Sequence, residues 1–187
     1  MNNLIAAELF TELVEAAETI INEHPDDYIG YWWKGRALTF TGRTEDAIKS
    51  FTEALKHATN DNEESKIMSS ISNIYNIQRN YEKTLQYTEI ALELNPDNVV
   101  AVIARSIALA STGKKHEARQ LLNTNKMLYK EDYQKACVHT VLKEKEEAFH
   151  YLSKAIRSNP HNRVTVRFDP DFRPYLRDPE FIRLITE

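Results

Sequence analysis

Residues 31–55, YWWKGRALTFTGRTEDAIKSFTEAL, read as two amphipathic segments on either side of a turn at Gly42, with a second glycine, Gly35, inside the first segment. A glycine in a helix interior costs about 1 kcal/mol relative to alanine. That loss is offset where two antiparallel helices cross so closely that neither can carry a large side chain. Gly35 is therefore predicted to meet Ala47 of the following helix, with Tyr31, Leu38, Phe51 and Leu55 around the crossing as core. Gly42, free to take positive φ, ends the first helix.

The same pattern returns along the chain. EDAIKSFTEALKHA (45–58) aligns with EKTLQYTEIALELNP (82–96), HEARQLLNTNKM (116–127) and EEAFHYLSKAIRSNP (146–160), and the first small residues, Ala47, Thr84, Ala118 and Ala148, are 37, 34 and 30 apart. Upstream of each lies a second apolar-periodic segment, beginning YIGYWW, SKIMSS, VVAVIA and YQKACV, so each unit reads as helix A, turn, helix B. Ser72, Ser106 and Ala136 take the place of Gly35, and Pro25, Pro96 and Pro160 each follow a helix. Self-similarity at this period points to a stack of helix pairs.

Tryptophan, glycine, tyrosine or leucine, alanine, phenylalanine, alanine and proline in this order resemble the tetratricopeptide repeat (TPR). Repeats are placed at 28–61, 65–98, 99–128 and 129–162; the third departs from the pattern at Asn125 and Lys126, and the fourth carries His139 at a usually apolar place. The resemblance implies an all-α fold, a right-handed superhelical TPR solenoid of antiparallel helix pairs, forming a single domain over 1–187. Residues 3–24 are expected to form an N-terminal capping helix, with Leu4, Ile5, Leu9, Phe10, Leu13, Val14, Ala17, Ile20 and Ile21 as its apolar stripe. Residues 163–187 are expected to close the other end. Asp178-Pro179 starts a final helix to Ile185, and Phe168, Phe172, Tyr175, Leu176, Phe181 and Leu184 form a plug. This tail is similar to those that close tetratricopeptide arrays in some bacterial proteins.

Composition narrows the function. A net charge of −4 argues against nucleic acid, although the first 27 residues hold seven acidic side chains and no Lys or Arg, whereas seven basic residues face five acidic ones from Lys154 onward. An acidic head and a basic tail leave self-association open. Cys137 is the single cysteine, which leans toward a reducing compartment, and no apolar run is long enough for a membrane span. With no basic stretch before the first apolar residues, a cytoplasmic location is expected.

No catalytic motif is present, and neither enzyme activity nor a cofactor is expected. Cys137 and His139 lie about 200° apart around a helix and cannot pair. His139 and His150 could approach across their hairpin, but two imidazoles make a poor metal site, so no metal is expected. Binding is better supported. A-helix residues that avoid helix B line the concave side, and from them Trp32, Arg36, Phe40, Lys66, Asn73, Asn76, Ile103, Ile107 and Tyr133 are the candidate peptide-binding set. Aromatic and aliphatic anchors mixed with amides and cations suit a protein or peptide partner. The same surface could instead be filled by the protein's own chain or by a second copy. The two-carboxylate clamp of some members of the family is not expected, because Trp32 stands where its first lysine would fall and Ile103 and Ala104 occupy the later basic region.

Overall fold

The computed structural model describes residues 2–186, with side chains from Phe10 onward, so Leu4, Ile5 and Leu9 of the expected N-terminal stripe lie outside the described residues. The helices are α1 (Asn2–Glu23), α2 (Tyr28–Phe40), α3 (Thr44–His57), α4 (Asp61–Ile77), α5 (Tyr81–Leu94), α6 (Val99–Ser111), α7 (Lys115–Thr124), α8 (Asp132–Leu142), α9 (Lys145–Ser158), α10 (Asn162–Phe168) and α11 (Pro179–Thr186), with 3₁₀ turns at Lys126–Leu128 and Pro170–Tyr175. The described residues contain no strand, and no helix among them is long and apolar enough to cross a membrane.

Local chemistry sets most of these ends. Side chains of Asp27, Asn60, Asn80 and Asn98 accept first-turn N–H groups of α2, α4, α5 and α6. Each two-helix turn contains one residue in the left-handed region: Gly42 (φ 78°), Arg79 (φ 58°), Gly113 (φ 89°) and Lys143 (φ 63°). Two of these are not glycine. α7 stops at Thr124, where Asn125 and Lys126 break the repeat pattern and a 3₁₀ turn follows.

α2 packs on α3, α4 on α5, α6 on α7 and α8 on α9, and successive A helices lie side by side, giving an all-α solenoid of antiparallel helix pairs. Neighbouring pairs are also pinned by polar contacts. Asn98 Nδ2 donates to Ser65 Oγ (2.8 Å) and to the Ser65 carbonyl (3.1 Å), and Ser65 Oγ donates to the Ala91 carbonyl (2.6 Å). Small residues sit at every close crossing, with Ser72, Ser106 and Ala136 fully buried. A Cβ at Gly35 would stand 2.7 Å from the ring of Phe51, one of the residues expected around this crossing, so the missing side chain makes room for an aromatic.

Two apolar cores result. One gathers Trp32, Leu38, Phe51, Ile67, Ile71, Ile74 and Tyr75. The other joins Val102, Leu122, Phe149, Leu152 and Ile156 to Val166, Phe172 and Phe181 of the C-terminal segment. In the tail, Asp178 Oδ1 accepts the N–H of Glu180 (2.9 Å) and of Phe181 (3.3 Å), starting α11 as its Asp-Pro pair predicts. Three cap residues expected to be packed are exposed instead: Leu13 on α1, and Phe168 and Leu176 in the tail.

Candidate binding clefts on the concave face

The concave face is not an open trough. After α10 the chain turns back across it, and the Pro170–Tyr175 turn packs on α4 and α8. Arg173 Nη1 donates to the Ile77 carbonyl (3.0 Å), and Tyr133 Oη donates to Asp169 Oδ2 (2.8 Å). At the N-terminal mouth, Phe10 of α1 stacks on Phe40 (5.0 Å between centroids) and meets Phe168 edge-on (5.1 Å), so the two terminal caps touch. The groove is thereby divided in two, with Pro170 and Asp171 lining both halves.

The first cleft, about 610 Å³, is lined by Trp32, Arg36, Phe40, Lys66, Asn73, Ile103 and Tyr133, seven of the nine candidate residues. Trp32 is its centre. Its indole N–H donates to Ser70 Oγ (3.0 Å), Lys66 Nζ lies 3.7 Å from its ring centroid, and the Arg36 guanidinium lies 4.9 Å from it. Arg36 also faces Trp33 (5.1 Å) and Phe40 (5.8 Å). Two cations over aromatic faces are held partly out of water, and burial lowers the pKa of both; the charge of Arg36 lowers that of Lys66 further.

The far wall carries the opposite sign. The Cys137 thiol and one carboxylate oxygen each of Asp169 and Asp171 lie within 4.8 Å of one another, a donor set that could hold a metal ion. Burial raises the pKa of Cys137 and of Asp171 well above the ordinary values, and the Asp169 charge pushes Asp171 up further. The buried, protonated thiol is a poor nucleophile. The sequence pairs Cys137 only with His139, because Asp169 and Asp171 reach it through the reversal of the tail and no spacing announces that contact. His139 is occupied elsewhere, stacked on Tyr151 and 2.8 Å from Glu144 through Nδ1.

The remaining two candidates, Asn76 and Ile107, line the second cleft, about 890 Å³, on the other side of the tail. Asn76 was expected as an open groove amide but is 4% exposed, with Nδ2 donating to the Ala104 carbonyl (3.1 Å). Tyr133 likewise spends its hydroxyl on Asp169. Sequence reasoning passed over the cations of the second cleft, Arg79, Lys115, Arg119, Lys143, Lys145 and Arg173, since they lie in turns and on B helices and not on the A-helix faces.

A stack of two-helix units with small crossing residues and left-handed turns defines the class, a helix-pair solenoid. The tetratricopeptide repeat profile matches residues 29–61 and 133–162, which hold the α2–α3 and α8–α9 helix pairs. A comparison with curated proteins found no match. Among solved structures, the chain is similar to YrrB, described as a TPR protein with an unusual peptide-binding site, at 16% identity over 89% of this chain and 86% of that one, with a TM-score of 0.49.

Proposed function

We propose that the protein is a non-catalytic interaction scaffold that holds a short peptide segment in the Trp32 cleft. The observation that carries this is the combination of an apolar floor, Trp32, Phe40 and Ile103, with two cations, Arg36 and Lys66, and an amide, Asn73, around one concavity. An apolar side chain fills the floor, a neighbouring carboxylate reaches Lys66, and the Asn73 amide meets the peptide backbone. The tail occupies the middle of the groove, which leaves room for a short segment and not for a long helix. Catalysis has no support in this geometry, since the one thiol is buried and protonated.

Panning a random peptide library on the intact protein tests the reading. Selected peptides should pair an aromatic or aliphatic residue with a carboxylate, and Lys66→Glu and Asn73→Ala should weaken them by about tenfold each with an unchanged helical circular dichroism signal. Failure to select any peptide, or equal binding by both variants, would refute it.

A further inference from the structure

We propose that the second cleft is a separate binding site for an acidic peptide segment, recognised by cations of the turns and of the B helices. Six cationic side chains, Arg79, Lys115, Arg119, Lys143, Lys145 and Arg173, line it against a single carboxylate, Asp171, in a chain whose net charge is −4. Arg119 pairs with Glu144, and Lys145 with Asp178 and Glu180. Arg79, Lys115, Lys143 and Arg173 have no carboxylate partner among the described residues. Arg173 instead spends one N–H on the Ile77 carbonyl, which fixes its guanidinium at the edge of the cleft.

Two independent features mark this surface. Arg79 and Lys143 are the non-glycine residues with positive φ among the described residues, in turns where the other two pairs use Gly42 and Gly113. A left-handed L-residue costs about 1–2 kcal/mol, and here both strained positions are cations of one cleft. The second feature is Asn76, whose Oδ1 is buried without a partner while its Nδ2 is tied to the Ala104 carbonyl. A buried acceptor at the lining of the cleft fits a backbone N–H, which a peptide has. Ile107, Val141, Leu142 and Tyr175 add apolar surface between the charges, so alternating acidic and apolar residues match the site better than a nucleic acid does. The site does not depend on whether the Trp32 cleft holds a ligand.

Fluorescence anisotropy with a labelled octapeptide of alternating glutamate and leucine, and with its glutamine analogue, on the intact protein tests the assignment. The acidic peptide should bind with the glutamine analogue at least roughly tenfold weaker, and salt should weaken it. Measured against Lys66→Glu alone, so that the Trp32 cleft is disabled in both proteins, adding Arg79→Glu and Lys115→Glu, both exposed positions, should cost about tenfold or more. Equal binding of the two peptides, or no binding at about 1 mM, overturns the proposal. So does tighter binding of single-stranded RNA with the same mutational loss, or self-association abolished by Glu12→Gln with Glu15→Gln, which would make the occupant the acidic helix of a second copy.

Discussion

The two halves of the groove are built from the same repeat and differ in what their rims carry. On the N-terminal side, cations lie over tryptophan and phenylalanine faces and are partly withdrawn from water, so the surface reads as aromatic with buried charge. On the C-terminal side the cations stand in turns and on B helices, mostly exposed and mostly without carboxylate partners, over a floor of aliphatic residues. The lesson is that the charge of this groove comes from the A-helix faces in one half and from turns and B helices in the other. What separates the halves is not a repeat but the tail.

The sharpest way to break the comparison is therefore to loosen the divider. Phe172 is fully buried and packs against Phe181 and Tyr133. Phe172→Ala should cost about 3–5 kcal/mol, as much as Phe51→Ala in the other core. Chemical denaturation reads both. If Phe172→Ala costs under about 1 kcal/mol, the tail is a loosely seated occupant and the two clefts are one groove.

The next effect concerns the first half alone. Gly35→Ala drives a methyl group into the Phe51 ring, which is fully buried and cannot swing out, so a loss of about 1–3 kcal/mol is expected despite the gain in helix propensity. Ser72→Ala at the equivalent place in the second pair should be much milder, because that crossing already accepts a Cβ. Thermal denaturation of the two variants side by side compares the crossings.

This contrast shows how far the sequence can be read. The periodicity, the small crossing residues, Gly42, Gly113 and the Asp-Pro start of α11 all act within one helix pair or one turn, and each is legible because local chemistry decides it. That the Phe51 ring is what stands nearest to Gly35 is less legible, since helix propensity says nothing about which side chain of the facing helix reaches across. The set of nine site residues shares one face in the sequence, yet the tail sends seven to one cleft and two to the other. A contact between residues as distant as Ile77 and Arg173 has no local signature. Arg79 and Lys143 were overlooked for the converse reason, as their left-handed backbone breaks the local preference that makes Gly42 and Gly113 conspicuous.

The divider also carries a pH dependence. Asp171 sits among Cys137, Asp169 and Tyr133, with Arg36 near Asp169, and burial raises its pKa well above the ordinary carboxylate value. Its folded pKa lies above the unfolded one, so between the two the native chain holds a proton that the unfolded chain has released. The stabilisation is complete below the unfolded pKa and is lost as pH rises toward the folded value, at up to about 1.4 kcal/mol per pH unit. Asp171→Asn should flatten this decline and be at least as stable as the unaltered protein at neutral pH. Urea midpoints from about pH 4 to 8 read it; an Asn variant that keeps the same slope would place the proton elsewhere.

The smallest effect separates stability from recognition at the rim of the second cleft. Arg79→Gly relieves a left-handed arginine but gives the unfolded chain more freedom, so a net gain of about 0.5–1 kcal/mol is expected. The same change removes one of the unpaired cations, and the acidic octapeptide should bind it several-fold more weakly than the unaltered protein. Stability rising while affinity falls is the signature of strain retained for a charge. If both rise, Arg79 is a turn residue and nothing more, and the difference between the two halves of the groove shrinks to the aromatic side. Lys143→Gly repeats the measurement at the last turn, where the same opposite movement is expected because Lys143 faces the same cleft from α8 and α9.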